Sequence, residues 1–180
     1  MTEIAQSIPE VDDLFARWKD VVGKDFTGYR NHAYRMLHFC LALRDCSDEE
    51  KQKLYIACVF HDLGVWTDQT LDYIDPSVVL AQQYLGQVGL SQWSEEIGLM
   101  IGEHHKLRSC PAEPSPLVEV FRRGDLVDFS LGLFRFDLPK GYFKQVRHAF
   151  PNAGFHKGLC GKASRWFIRH PLNPAPMMKW

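Results

Sequence analysis

The chain has no long uninterrupted run of apolar residues and almost no excess charge of either sign. Its 180 residues carry 21 basic and 22 acidic side chains, which leaves a formal net charge of -1. No apolar run approaches the roughly 20 residues that cross a bilayer, and residues 1–7 lack a basic and then apolar signal pattern. The sequence therefore predicts a cytoplasmic protein that does not insert into a membrane.

Cysteine is scarce and shows no pairing pattern. The five cysteines are odd in number and have no Cys-x-x-Cys spacing, which argues against a disulfide framework or a zinc ribbon. Most have apolar neighbours, so we interpret them as reduced thiols that fill space in the core. They are Cys40, Cys46, Cys58, Cys110 and Cys160.

Apolar residues are plentiful and recur at helical spacing. The chain is 46% hydrophobic and 13% aromatic, which is enough for the core of a single domain over residues 1–180. Ser7 to Glu10 and Ser47 to Glu50 resemble capping boxes, which open helices that run to Val21 and His61. Further helices are predicted at about 27–43, 76–88, 91–105, 115–128, 139–149 and 158–169. With no persuasive strand pattern, the predicted fold class is all-α, ending in a proline-rich extended tail at 171–176.

Charge is divided unevenly along the chain. Residues 1–129 carry 12 basic and 21 acidic side chains, whereas residues 130–180 carry 9 and 1. The basic segment could simply pack on the acidic body, or it could present Lys and Arg to an anionic ligand at the mouth of a site. It has no aromatic-basic repeat and no known nucleic-acid motif, so nucleic acid is not the expected partner.

A His-Asp pair, His61 and Asp62, follows directly on the apolar run at 54–60. Such a run is typical of a buried helix, where a carboxylate beside an imidazole is costly unless the charge is paired or coordinated. We therefore infer that a metal ion is the partner of this pair. Other candidate ligands stand in segments with helical periodicity. These are His32, His104, His105 and Asp125.

The ordered set resembles the HD superfamily of metal-dependent phosphohydrolases. The resemblance consists of His32, the His61-Asp62 pair followed by Leu-Gly, the Ile-Gly-Glu-His-His segment ending at His105, and Asp125 within Arg-Arg-Gly-Asp-Leu-Val-Asp. It covers about half of the chain and implies a helical bundle of the HD-domain type. The motif-bearing core would span about 26–129, followed by a basic helical segment at about 130–180.

The resemblance implies a metal site made from imidazole and carboxylate groups. Its four ligands would be His32, His61, Asp62 and Asp125, which leaves room for water and a substrate oxygen. The expected cofactor is one divalent transition metal ion per chain, with manganese, iron, cobalt, nickel, zinc and magnesium not distinguished. Ser77 stands near the place where dinuclear members often carry another His, which favours one ion. Asp75 or the paired histidines could still hold a second.

The implied activity is hydrolysis of a phosphomonoester, either a nucleotide or a small organic phosphate, by a metal-activated water. Asp62 or Asp125 would orient that water, and His104, His105 or Asp68 would supply a proton to the leaving group. Some members carry an acidic residue three positions after the HD aspartate, where this chain has Val65.

Phosphate oxygens call for cationic side chains near the motif blocks. The candidates for binding a small phosphorylated substrate are Arg35, Lys106 and Arg123. Two alternatives to a phosphohydrolase remain open, a dinuclear iron oxygenase of the same superfamily and a metal-holding binding module without turnover. The oligomeric state does not follow from the sequence.

Overall fold

Every regular element of the protein is a helix over the part of the chain that the computed structural model describes, residues 3–106, 108–109 and 115–178. The prediction of an all-α fold is therefore confirmed for these residues, which contain no strand. Cys110 and most of the predicted break at 111–116 lie outside them. The α-helices are α1 Pro9–Ala16, α2 Lys19–Val22, α3 Phe26–Leu43, α4 Asp48–Phe60, α5 Gly64–Thr67, α6 Ile74–Gln87, α7 Ser94–Glu103, α8 Pro116–Phe129, α9 Lys140–Ala149 and α10 Phe155–Arg169.

The two predicted capping boxes have opposite outcomes. At the start of α4, the Ser47 hydroxyl accepts from the Glu50 backbone N–H, and the Glu50 carboxylate accepts from the Ser47 backbone N–H. The predicted box at Ser7 is wrong, because its hydroxyl donates to the Asp12 carboxylate at 2.7 Å and leaves the backbone uncapped. The helix predicted to reach Val21 is also divided into α1 and α2.

Helix α3 lies at the centre of the fold, in contact with α4, α8, α9 and α10. Its approach to α8 is close because Gly124 has no side chain. A Cβ built there would lie 3.0 Å from the carbonyl oxygen of Met36 and would overlap the sulfur of Cys40. This contact brings the polar residues of α8 against the buried face of α3.

The core is aromatic and almost fully closed around α3 and the end of α4. Tyr29, Phe39, Phe60 and Phe121 are each at most 1% exposed. Among the described cysteines, Cys40, Cys46 and Cys58 are buried free thiols, as predicted, whereas Cys160 is exposed.

The basic C-terminal segment returns to the N-terminal end of α3. Phe155, at the start of α10, stacks on His32 with ring centroids 4.2 Å apart. Further along α10, the Lys162 ammonium lies 2.7 Å from the Asp25 carboxylate. Helix α10 thereby covers one side of the region around His32. None of the helices in the described ranges combines the length and apolar character needed to cross a bilayer.

Candidate metal centre

Four helices deliver polar side chains to one point in the interior. His32 belongs to α3 and Asp125 to α8, while His61 and Asp62 directly follow α4 and His104 directly follows α7. All five residues are at most 4% exposed. The fold therefore brings together residues from all four motif blocks. The block of paired histidines contributes its first member, His104.

The reactive atoms of these residues lie within contact distance of one another. The Nε2 atom of His32 is 3.1 Å from Nε2 of His61 and 3.5 Å from Oδ1 of Asp125. One oxygen of Asp62 is 3.3 Å from Nε2 of His61, and the other is 3.5 Å from Nε2 of His104. Three imidazole nitrogens and two carboxylates thus converge.

Hydrogen bonds behind the rings determine which nitrogen faces the centre. Nδ1 of His61 lies 2.9 Å from the Cys58 carbonyl oxygen, and Nδ1 of His104 lies 2.6 Å from the Ile101 carbonyl oxygen. A carbonyl only accepts, so each Nδ1 carries the proton and each Nε2 presents a lone pair. Such partners commonly orient metal-ligating histidines.

His32 is oriented by a carboxylate. Its Nδ1 donates to Oδ2 of Asp128 at 2.7 Å, which again leaves Nε2 as an acceptor. The 3.1 Å approach of the His32 and His61 Nε2 atoms therefore opposes two lone pairs unless a cation lies close to both. Burial lowers the pKa of His32 to about 4, so a proton is a poor candidate for that cation near neutral pH.

Among the described residues, two further buried atoms of the cluster have no hydrogen-bond partner. They are Nε2 of His104 and Oδ1 of Asp62, and leaving such atoms unsatisfied is costly in an interior. A metal ion would satisfy both at once. The donor set of imidazole nitrogen and carboxylate oxygen suits a divalent transition ion.

The two carboxylates of the cluster have opposite electrostatic surroundings. Burial raises the pKa of Asp125 to about 7, since little nearby offsets its loss of hydration. Burial also opposes ionisation of Asp62, but the adjacent imidazoles of His61 and His104 more than compensate and hold its pKa well below the ordinary value. Asp62 is therefore the carboxylate that stays charged.

A second possible ligand group overlaps the first. His32, His61 and Asp62 form one set of atoms that could hold an ion, and Asp62, His104 and His105 form another. Asp62 belongs to both, as a carboxylate between two ions would. The ring of His105 lies beyond Asp125, with Nδ1 3.8 Å from its Oδ2 atom.

Arg35 does not contact this centre, although its position one turn after His32 predicted a role in substrate binding. Its guanidinium lies on the far side of Asp128 and donates to both carboxylate oxygens, at 2.6 and 2.7 Å. A third donor reaches the carbonyl oxygen of Phe150. The side chain is 1% exposed and supports the ligand set from behind, and its role in substrate binding stays a prediction.

Three other predicted site residues stand outside the cluster. Lys106 pairs with Glu103 at 2.9 Å, and Arg123 pairs with Glu119 at 2.7 Å. Arg123 lines a separate cavity at the C-terminal end of α3. Asp68 is exposed at the end of α5, where it accepts a hydrogen bond from the neighbouring Thr67 hydroxyl.

Two residues of the site were missed by sequence reasoning. Asp128 follows Asp125 by three positions on α8, so the helical repeat alone could have placed both carboxylates on one face. Tyr73 carries no such signal, because it precedes α6 in a loop, yet its buried hydroxyl lies 2.7 Å from Nε2 of His105. Ser77 is also buried, but its hydroxyl accepts from the Gly64 backbone N–H.

No protein-family model matches the chain, and neither does any curated protein or solved structure.

Proposed function

We propose that the protein is an HD-type, metal-dependent phosphohydrolase that cleaves a phosphomonoester, either a nucleotide or a small organic phosphate. One observation carries the proposal. Three Nε2 lone pairs and two carboxylates converge in a buried site, where no Lys or Arg among the described residues forms an ion pair with either carboxylate, and Arg35 is turned away from it. Such a site has an excess of electron donors, which a divalent ion would balance.

The proposed ligands of a first ion are His32, His61, Asp62 and Asp125. An ion held there supplies Lewis-acid polarisation of a phosphoryl oxygen and lowers the pKa of a coordinated water. His104, whose Nε2 also faces Asp62, would be a fifth ligand of the same ion instead of the proton donor. The ordering of Nδ1 protons by Cys58 and Ile101 would hold both rings in the binding tautomer.

His105 is our choice for the proton donor. Hydrolysis breaks the ester P–O bond, gives the water oxygen to phosphorus and requires one proton at the leaving alkoxide. The His105 side chain is 11% exposed, against 2% for His32 and none for His61 or His104. The Tyr73 hydroxyl at Nε2 would orient the ring and relay a proton.

The test combines elemental analysis with phosphate release from a generic phosphomonoester. We expect about one divalent ion per chain and hydrolysis that chelation abolishes. Replacement of Asp62 by Asn should remove most of the bound ion and lower kcat/KM by at least about 10²-fold, because the charged ligand is lost while the side-chain volume is kept.

The matched control is Asp72→Asn, which removes an exposed carboxylate from the same part of the chain. It should leave metal content and turnover unchanged. Full activity in the Asp62→Asn protein would overturn the mechanism, and bound metal without turnover on a broad phosphate panel would reduce the protein to a metal-holding module.

The shared position of Asp62 in two ligand groups favours one second candidate, a dinuclear iron oxygenase of the HD superfamily. Such an enzyme would hold a second ion with Asp62, His104 and His105. Two irons per chain, oxygen consumption with an organic substrate and no phosphate release would support it. One ion per chain with phosphate release would exclude it.

A further inference from the structure

We propose that the substrate is an elongated phosphate ester with a second anionic group, which binds in a basic groove formed by Lys24 and by Lys162, Arg165 and Arg169 of α10. This inference rests on the proposed function, because the first phosphate is assigned to the metal centre. The groove lies between α10 and the residues around Trp66. It extends the site away from the buried ligands towards solvent.

Two adjoining cavities connect the metal centre with this groove. A small cavity of about 110 Å³ includes Asp62 in its wall, together with Gly28 and Phe155. A larger cavity of about 450 Å³ opens beyond it. Both are lined by Asp25, Val65, Trp66 and Lys162. A ligand with one end at Asp62 would therefore emerge into the larger cavity.

The wall of the larger cavity is positively charged. Lys24, Lys162, Arg165 and Arg169 contribute four cations, whereas Asp25 is the one carboxylate among the described residues that line it. That carboxylate is already engaged, at 2.7 Å from the Lys162 ammonium and 3.1 Å from the Trp66 indole nitrogen. The remaining cationic charge is available to a ligand.

Three of the basic residues of α10, Lys162, Arg165 and Arg169, share one face of the helix. Positions 162, 165 and 169 are three and four residues apart, which is the spacing of one helical stripe. Among the described residues, no carboxylate lies within ion-pairing distance of Arg165 or Arg169. Guanidinium groups without a carboxylate partner are well suited to bind phosphate or carboxylate oxygens.

The dimensions of the groove define the class of ligand. Seven residues separate Lys162 from Arg169, which corresponds to roughly 10 Å along a helix. Lys162 stands where the two cavities meet, held by Asp25 and lying 5.6 Å from the Trp66 ring centroid. A compact monophosphate would not reach Arg165 or Arg169, whereas an ester with anionic groups at both ends would.

The experiment compares two probes that differ only in the second anion. One is a six-carbon alkane diol with phosphate at both ends, and the other is the same alkane with phosphate at one end. Binding to the full-length, metal-loaded protein is measured by calorimetry at low and high salt. We expect the double phosphate to bind about tenfold tighter, and the preference to shrink as salt screens the exposed arginines.

The variant Arg165→Ala/Arg169→Ala should reduce that preference to about one. Its matched control is Lys144→Ala/Lys157→Ala, which removes the same charge from exposed positions that line neither cavity. The control should keep the preference, which separates a local groove from the general attraction of the basic segment.

The outcomes distinguish the two proposals. Equal affinity for both probes, with chelator-sensitive phosphate release intact, would overturn the groove and leave the hydrolase standing. If both double variants abolished the preference for the double phosphate equally, the proposed binding role of the groove would also be overturned. Tight, arginine-dependent binding of the double phosphate without any phosphate release would support the groove and contradict the hydrolase.

Discussion

Arg35, Asp128 and His32 form a buried chain of hydrogen bonds behind the metal centre. The guanidinium holds both oxygens of Asp128, and one of these oxygens accepts the Nδ1 proton of His32. Burial would raise the pKa of Asp128, but its bonds to His32 and Arg35 hold that pKa well below the ordinary value. A charged Asp128 in turn fixes the tautomer in which Nε2 of His32 faces the candidate metal centre.

Replacing Arg35 by Met tests whether this arginine is structural. Met fills much of the same volume but leaves Asp128 without its cation, and removal of one partner from a buried pair costs about 3–5 kcal/mol. We expect the free energy of unfolding to fall by that amount in denaturant titrations. A raised KM with unchanged stability would return Arg35 to a substrate-binding role.

The control for this substitution is Lys51→Ala, which breaks the exposed pair with Asp48 on the surface of α4. Solvent screens an exposed ion pair, so stability should change little. The contrast between the two variants isolates the effect of burial.

At the scale of elements, the contact between α3 and α8 decides whether the site is assembled. Gly124 lets the helices approach until Asp125 lies 3.5 Å from His32. The same approach brings Asp128 to the other side of that ring. A side chain at position 124 would push the helices apart. His32 would then lie farther from both Asp125 and Asp128.

Gly124→Ala should therefore destabilise the protein although alanine favours helices. Its Cβ would meet backbone and sulfur atoms of α3, and overpacking of a core typically costs about 1–3 kcal/mol. We expect weaker metal affinity together with a lower Tm. Unchanged values of both would show that the helices can separate without disturbing the ligands.

Gly161→Ala, within α10, should stabilise the protein, in contrast to Gly124→Ala. A Cβ there meets nothing within 4 Å, so the substitution should stabilise the protein by about 0.5–1 kcal/mol through the backbone entropy of glycine. Thermal unfolding should show a lower Tm than the wild type for Gly124→Ala and a higher Tm for Gly161→Ala.

At the scale of the whole molecule, the candidate metal centre collects side chains from α3 and α8 and from the residues that follow α4 and α7. Bound metal should therefore stabilise the entire fold, by about 2.7 kcal/mol at a hundredfold excess over Kd. For a chain of this size we expect chelation to lower Tm by about 5–10 °C. The Asp62→Asn protein should unfold at nearly the same temperature with and without chelator.

That stability measurement needs no substrate. An equal loss of Tm on chelation in the wild type and in Asp62→Asn would show that the stabilising ion binds elsewhere. No loss in either would show that the cluster holds no ion under the conditions used.

Most helices were predictable because their signals are local. The predicted helix at 139–149 corresponds to α9 at Lys140–Ala149, and the Ser47 cap is formed as expected. The failures also have local causes, since Ser7 satisfies its hydroxyl with Asp12 instead of the backbone. The separation of α1 from α2 had no signal in the apolar repeat.

The sequence by itself determined the all-α fold class and the candidate metal ligands. Helical periodicity depends on residues that are close in the sequence. Ionisable residues at the end of an apolar run likewise predict a buried polar site without reference to the rest of the fold. These properties do not depend on what packs against them.

Only the tertiary structure decided how each polar residue is used. Arg35 and Asp128 lie 93 residues apart, and their pairing turned an expected substrate contact into support for His32. Tyr73 and the basic face of α10 were likewise brought to the site from distant parts of the chain. Which cation meets which anion depends on the packing of whole helices, and no short stretch of sequence contains that information.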